Sequence, residues 1–149
     1  MTRGPEARSD VVLVVEDDPQ VLDLEIQVLT SAGYAVTGAG TVAEALAGVR
    51  GSRPDLILLD VQLGREDGLD VARHLRKDPA TRDILIVASS ASTSVADIER
   101  ARIAGCASFL AKPLTLRGFL EGVRRCLETA SSAPPPNPCD GGAETPRPR

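Results

Sequence analysis

Short apolar runs alternate along the chain with longer segments in which apolar residues recur at helical spacing. Each run has the length of a β-strand and precedes a helical pattern, and capping residues mark helix starts at Asp18-Pro19 and at Thr41 with Glu44. This alternation is typical of β/α units whose parallel strands are covered by helices on both faces. The pattern predicts an α/β fold with five strands, at 11–15, 34–39, 55–60, 84–89 and 108–111.

The ends of the chain differ in composition from the segment between them. From Ala130 onward the sequence is rich in Pro, Gly and Ser and has almost no large apolar residue. Such a segment cannot offset the entropy that is lost on ordering. We therefore expect one folded domain over residues 10–130, flanked by disordered segments at 1–9 and 131–149.

Composition and charge argue against several classes of function. The formal net charge is −4 and the arginines are scattered, so no basic face is available for direct contact with a nucleic acid. The N-terminus lacks the apolar core of a secretion signal, and no run approaches the roughly 20 apolar residues of a membrane-spanning helix. Three widely spaced cysteines fit neither a disulfide framework nor a zinc site. We expect a cytoplasmic protein without membrane contact.

Reactive side chains follow the predicted strands, at the edge of the sheet where the carboxyl ends of parallel strands meet. Glu16 and Asp17 follow the first strand, Asp60 ends the third, a pair of serines ends the fourth, and Lys112 follows the fifth. Carboxylates gathered at one point repel each other unless one is protonated or a cation lies between them. Hard oxygen ligands without His or Cys favour Mg²⁺, so the sequence predicts a magnesium site at this edge.

Asp60 is the candidate reactive group of this edge. A carboxylate beside a bound Mg²⁺ retains an oxygen that can attack a phosphoryl group, as in aspartyl-phosphate chemistry. The cation and the Lys112 ammonium would neutralise the phosphoryl oxygens during transfer, and a serine hydroxyl would donate to one of them afterwards. The residues therefore predict a site that accepts a phosphoryl group on Asp60.

Three motifs, in order along the chain, carry a resemblance to a known family. They are "VVLVVEDDP", "PDLILLD" followed by Asp67-Gly68, and "GCASFLAKP". With these motifs the chain resembles the receiver domain of two-component response regulators over about residues 10–130. The resemblance implies a flavodoxin-like (βα)5 fold with the strand order 2-1-3-4-5.

The resemblance also implies roles for single residues of the site. Asp60 would be the phosphoacceptor, and Lys112 would contact the phosphoryl group. Mg²⁺ would be held by Asp17, Asp60 and the backbone carbonyl of Gln62, with Glu16 acting through water.

A conformational switch is implied as well. Ser90 best matches the hydroxyl that moves toward the phosphoryl group, and a slip of one residue in the match would make it Ser89. Phe109 matches the aromatic residue whose ring moves inward on activation, a role that is compatible with ordinary packing in the core.

The implied protein is a stand-alone phosphoacceptor. A histidine kinase or a phosphotransfer protein would donate the phosphoryl group, and output would pass through a downstream protein partner, a homodimer or onward phosphotransfer. It would not be a conventional enzyme, because Mg²⁺-dependent self-phosphorylation and self-dephosphorylation would be its only reactions.

Two alternatives stay open. One is a phosphorylation-independent receiver-like scaffold, which the intact set of acids and lysine disfavours. The other is an aspartate-nucleophile phosphatase, in whose D-x-D motif Gln62 would replace the second acid.

Overall fold

The computed structural model describes residues 10–92, 94–112 and 116–132. The elements are, in chain order, β1 (Val11–Val15), α1 (Pro19–Ser31), β2 (Ala35–Ala39), α2 (Val42–Gly51), β3 (Leu56–Asp60), β4 (Gln62–Leu63), β5 (Glu66–Asp67), α3 (Leu69–Lys77), β6 (Leu85–Ser90), α4 (Val95–Ala104), β7 (Ser108–Ala111) and α5 (Leu116–Ser132). The five predicted strands are present with ends shifted by at most one residue. The disorder predicted for 1–9 and for 133–149 lies outside the described residues, whereas residues 131 and 132, predicted to belong to the disordered tail, are the last two residues of α5. Within the described ranges, no helix combines the length and the apolar character needed to cross a membrane.

Five parallel strands form the main sheet, in the order β2-β1-β3-β6-β7. Because β4 and β5 pair only with each other, this is the expected order 2-1-3-4-5 when the long strands alone are counted. All five residues of β3 are buried, as a central strand covered on both faces requires. The predicted fold class is confirmed.

Apolar side chains form one core cluster on each face of the sheet. The first joins Ile57 and Leu59 to buried residues of α2, α3 and α4, and the second joins Leu56 and Leu58 to buried residues of α1 and α5. Alternate side chains of β3 thus anchor both layers, and each fully buried Leu or Ile contributes about 1.5–3 kcal/mol relative to exposure. The strand that ends in Asp60 is therefore held firmly at the centre of the molecule.

The predicted helix starts have the capping side chains that the sequence indicated. Asp18 Oδ1 accepts a hydrogen bond from the Gln20 N–H at 2.9 Å. Thr41 Oγ1 accepts from the Glu44 N–H at 3.1 Å, and Glu44 Oε1 accepts from the N–H of Gly40, one residue before the cap. α1 and α2 therefore begin where these capping patterns predict.

A short hairpin occupies the segment after Asp60, where the sequence pattern predicts none of its five strands. β4 and β5 pair across a turn of Gly64 and Arg65, and Gly64 has a φ of +59°, a value that glycine adopts readily. The Gly68 N–H then donates to the Val61 carbonyl at 2.7 Å. A Cβ at Gly68 would lie only 2.0 Å from the Asp60 carbonyl oxygen. The hairpin and the turn into α3 are therefore packed so closely onto the end of β3 that residue 68 cannot carry a side chain.

Candidate functional site

The carboxyl ends of β1 and β3 bring three acidic side chains together. Glu16 and Asp17 directly follow β1, and Asp60 is the last residue of β3. One carboxylate oxygen of each residue lies within 4.8 Å of the others. Glu16 is 4% exposed and Asp60 is 7% exposed, whereas Asp17 faces the solvent. The acidic cluster expected from the sequence is therefore present, with two buried carboxylates and one exposed carboxylate.

Lys112 reaches this cluster from the end of β7. Its Nζ lies 2.9 Å from Glu16 Oε1 and 3.2 Å from Asp60 Oδ2. Its backbone N–H donates to the Ser90 carbonyl at 2.9 Å, which fixes the chain where the strand ends. Burial acts to lower the pKa of Lys112, but the hydrogen bond to Glu16 and the charges of Asp60 and Glu16 raise it above its ordinary value. Lys112 is therefore an ammonium shared by the two buried carboxylates.

Asp60 has a high pKa for an aspartate. Burial raises the pKa to about 6, assisted by the charge of Glu16 and opposed by the ammonium of Lys112. The Gln62 N–H, which donates to Asp60 Oδ1 at 3.1 Å, also lowers this pKa. Asp60 is thus mostly ionised at pH 7, in surroundings where a further positive charge would be favourable.

Glu16 is held through both of its carboxylate oxygens. Oε1 accepts from Lys112 Nζ, and Oε2 accepts from the Asp18 N–H at 3.2 Å. The Glu16 N–H donates to the Ala39 carbonyl at 2.9 Å, which extends the pairing of β1 with β2 by one residue. Glu16 therefore orients the lysine, while Asp17 faces the solvent next to Asp60.

The donor set fits a magnesium ion. Three carboxylates face the Lys112 ammonium, which leaves an excess of negative charge in a partly buried place. All three side chains of the cluster offer hard carboxylate oxygens, and among the described residues neither His nor Cys joins them. Such a set suits Mg²⁺ better than a softer metal ion. Gln62, whose carbonyl is the further ligand that the family resemblance implies, lies on β4 two residues after Asp60.

The two serines at the end of β6 alternate to opposite faces of the sheet. Both are buried, and Ser89 is the residue that pairs with Asp60 in the register of β3 and β6. Ala88 belongs to the first core cluster and the partly buried Phe109 packs against it, and Ser90 lies on the same face as Ala88 because side chains of a strand alternate between its faces. Ser90 and Phe109 therefore share a face, and the assignment of the switch hydroxyl to Ser90 stays a prediction.

Glu25 on α1 is a further acid near the site, and the sequence analysis missed it. It lies one turn before the fully buried Leu29, so it is on the side of the helix that packs toward the sheet. Burial raises the pKa of Glu25 to about 7, with Glu16 and Asp60 raising it and Lys112 lowering it. The sequence did contain a signal for Glu25, which is a glutamate at a position where the amphipathic helix faces the core.

Known protein families include one that matches most of this chain. The model of the response regulator receiver domain matches residues 12–124. The polar-differentiation response regulator DivK of Brucella anthropi is 34% identical over 119 residues, which cover 80% of this chain and 97% of DivK. DivK of Brucella ovis matches with the same identity and coverage.

Solved structures with the same fold also include response regulators. A receiver domain protein (CheY-like) from Methanospirillum hungatei has a TM-score of 0.77 and 25% identity, over 84% of this chain and 98% of that structure. The chemotaxis response regulator CheY4 of Vibrio cholerae has a TM-score of 0.76 and 25% identity, over 80% of this chain and 99% of that structure. Strand order, motif spacing and these matches agree, and the chain belongs to the response regulator receiver domain family.

Proposed function

We propose that this receiver accepts a phosphoryl group on Asp60 from a histidine kinase or a phosphotransfer protein, with Mg²⁺ bound at the acidic cluster. The observation that carries the proposal is the position of Lys112 Nζ, 3.2 Å from Asp60 Oδ2 and 2.9 Å from Glu16 Oε1. A carboxylate nucleophile, a cation for the incoming phosphoryl oxygens and a set of hard oxygen ligands then occupy one small volume.

Transfer requires Asp60 as a carboxylate. A carboxylate oxygen attacks phosphorus, the bond between phosphorus and the donor breaks, and the leaving nitrogen of a phosphohistidine keeps the electron pair. Because the pKa of Asp60 is about 6, most molecules are ionised at pH 7 without a separate base. The Gln62 N–H, 3.1 Å from Oδ1, fixes the orientation of the carboxylate.

The acids and the lysine would have different electrostatic roles. Asp17, Asp60 and the Gln62 carbonyl would hold Mg²⁺, with Glu16 acting through water, and the bound ion would supply charge neutralisation for the phosphoryl oxygens. Lys112 already lies between two carboxylates, so it needs only to exchange a carboxylate oxygen for a phosphoryl oxygen. Glu16 keeps the ammonium in place during that exchange.

Movements of Ser90 and Phe109 would convert phosphorylation of Asp60 into a change of the receiver surface. The Ser90 hydroxyl would donate to a phosphoryl oxygen on Asp60, and Phe109 would move into the space that this shift opens. A hydrogen bond to a charged group contributes roughly 1.5–3 kcal/mol, part of the about 5.5 kcal/mol that a nearly complete population shift needs. A new Lys112 contact would supply a further part. A downstream protein partner, or a second copy in a homodimer, would bind the changed surface.

The phosphoryl donor determines the cellular compartment to which we assign the reaction. Histidine kinases take phosphoryl groups from ATP, so we assign the reaction to the cytoplasm, with self-phosphorylation by small donors and self-dephosphorylation as the only reactions of the receiver. A phosphorylation-independent scaffold is disfavoured because the three acids are gathered at one place and Lys112 pairs with two of them. A phosphatase of the D-x-D type is not supported, because Gln62 takes the place of the second acid.

Incubation with acetyl phosphate and Mg²⁺, followed by measurement of the intact mass, tests the proposal. The wild-type protein should gain one phosphoryl group with Mg²⁺ and none with a chelator. Asp60→Asn should gain none, whereas Asp23→Asn, at an exposed acid of α1, should behave as the wild type. Equal gain by Asp60→Asn, or no gain by the wild type, would refute the assignment.

A further inference from the structure

α4 has few apolar contacts with the body of the protein. Only Ala101 and Ala104 are buried on this helix, whereas α3 buries two leucines, a valine and an alanine. Larger apolar side chains of α4 face the solvent, with Val95 85% exposed and Ile103 72% exposed. Two alanine methyl groups supply little hydrophobic stabilisation. The position of α4 therefore depends strongly on the polar contacts at its two ends.

The C-terminal end of α4 is anchored by Arg76 of α3. Arg76 Nε donates to the Gly105 carbonyl at 3.1 Å, and Arg76 Nη2 donates to the same oxygen. Arg76 Nη1 donates to the Ile84 carbonyl at 2.9 Å and to the Arg82 carbonyl. Gly105 is the C-terminal cap of α4. One part-buried guanidinium thus joins this end of α4 to α3 and to the start of β6 by several charge-assisted hydrogen bonds.

The middle of α4 is joined to the hairpin by Arg100, the sixth of the ten residues of the helix. Arg100 Nη2 lies 3.3 Å from Asp67 Oδ2, an oxygen that Arg73 Nη1 also contacts at 3.0 Å. The Arg100 side chain is 49% exposed and that of Asp67 is 35% exposed. Asp67 Oδ1 accepts from the Leu69 N–H at 3.0 Å, which fixes this carboxylate at the start of α3. The contact of α4 with the hairpin is thus more exposed, and consists of fewer hydrogen bonds, than the Arg76 anchor at the C-terminal end of the helix.

Hydrogen bonds continue from Arg100 to the switch serine. Arg100 Nη1 lies 3.3 Å from Asp97 Oδ1, and Asp97 Oδ2 accepts from Ser94 Oγ at 2.9 Å and from Ser92 Oγ. The Ser92 N–H donates to Ser90 Oγ at 3.1 Å. Movement of Ser90 therefore displaces Ser92, which is hydrogen-bonded to Asp97. Asp97 in turn transmits the displacement to Arg100, with which it is paired.

We propose that the Arg100–Asp67 ion pair is a latch that holds α4 on the hairpin in the resting protein. When the latch opens, α4 swings about its Arg76–Gly105 anchor and presents Val95 and its neighbours differently. The inference rests on the proposed function, because the event that opens the latch is the movement of Ser90 toward a phosphoryl group on Asp60. The Arg100–Asp67 contact gives way before the Arg76 anchor because it is the weaker and more exposed of the two.

Removal of Arg100, compared with removal of Arg102, tests the latch. Arg100 and Arg102 each pair with an acid three residues earlier on α4, but only Arg100 also contacts Asp67. Variants Arg100→Ala, Arg100→Lys and Arg102→Ala are compared in two measurements. The first is amide hydrogen exchange of the first turn of α4 in the unliganded protein, and the second is the affinity for beryllofluoride with Mg²⁺, as an analogue of the phosphoryl group.

We expect Arg100→Ala to exchange faster than the wild type at the first turn of α4, with Arg102→Ala unchanged and Arg100→Lys intermediate. Because opening and ligand binding are linked, Arg100→Ala should also bind beryllofluoride about two- to fivefold more tightly, the range that an exposed ion pair allows. Equal exchange in Arg100→Ala and Arg102→Ala overturns the latch, as does equal affinity. Absence of beryllofluoride binding in all proteins would instead refute the proposed function, and hydrogen exchange would still decide the latch.

Discussion

Lys112 Nζ and Asp60 Oδ2 lie 3.2 Å apart although the two residues are separated by 52 positions in the chain. This ion pair works against burial, which raises the pKa of Asp60. The protonation of the candidate nucleophile is thus controlled by an amine from a different strand. Removal of that amine has a measurable consequence even without phosphorylation.

In Lys112→Met we expect the pKa of Asp60 to rise from about 6. Loss of an adjacent opposite charge raises the pKa of a carboxyl group by about one to three units. A carbon-13 NMR titration of the Asp60 carboxyl group in Mg²⁺-free protein measures the change. Lys77→Met, at an exposed lysine of α3, is the control and should leave the titration unchanged. An unshifted midpoint in Lys112→Met would mean that the ammonium does not govern Asp60.

Glu25 should make the protein less stable as the pH rises. Its pKa is about 7 in the folded protein against an ordinary value of 4.5. Between these values the folded state retains a proton that the unfolded chain has released, so stability falls over this interval. The penalty is absent below about pH 4.5 and complete above about pH 7.

We therefore expect Glu25→Gln to increase the free energy of unfolding by about 1–2 kcal/mol at pH 8 and by much less at pH 5, after allowance for the partial exposure of the group. Urea denaturation at both pH values, in the presence of a chelator, measures this difference. Asp23→Asn on the exposed side of α1 should show no such dependence on pH. A Glu25→Gln effect of the same size at pH 5 and pH 8 would contradict the prediction.

The two serines at the end of β6 can be separated by alanine substitution. Ser90→Ala should weaken the binding of beryllofluoride about tenfold or more, because a hydrogen bond to a charged group is lost. Ser89→Ala, on the opposite face of the strand, should change the affinity less than about twofold, since it loses no such bond. The reverse result would assign the switch hydroxyl to Ser89 and correct the prediction from the sequence.

Gly105→Ala should be more destabilising than an alanine at another glycine with positive φ. Gly105 has a φ of +110°, and a Cβ there would lie 2.5 Å from Arg76 Nε. Gly33 has a φ of +103°, and a Cβ there would meet nothing within 4 Å. We expect losses of about 2–4 kcal/mol for Gly105→Ala and about 1–2 kcal/mol for Gly33→Ala in urea denaturation. Equal losses of unfolding free energy in the two variants would show that the Arg76 side chain can move away from residue 105 without destabilising the protein. Arg76 would then not be a firm anchor for α4.

Much of the fold was predictable because its signals are local. Apolar runs mark the strands, and Asp18 and Thr41 cap the helices that their positions indicated. The acidic cluster was predictable because the carboxyl ends of parallel strands necessarily meet at one edge, which brings Asp60 to Glu16.

The hairpin after Asp60 was not predictable in the same way. Strands of two residues are too short to show an alternation of apolar and polar residues. Glycine is required at position 68 because the Asp60 carbonyl oxygen leaves no space for a Cβ, which only the structure shows. Arg76 also escaped prediction, because its partners are backbone carbonyls that no residue type identifies. Glu25 was visible in the sequence, but its significance depends on which side of α1 meets the sheet.

The contact between Glu16 and Lys112 joins residues 96 positions apart, which directly follow the first and the last strands of the sheet. Synthesis proceeds from the N-terminus, so the acids of β1 and β3 emerge and can pair long before Lys112 exists. Long-range parallel pairing of this kind is slow and is complete only when the final strand has docked. A nascent, truncated or partly unfolded molecule thus has the acids without their ammonium. On the proposed function, competence for phosphorylation is therefore a late event of folding, reached only when the sheet is complete.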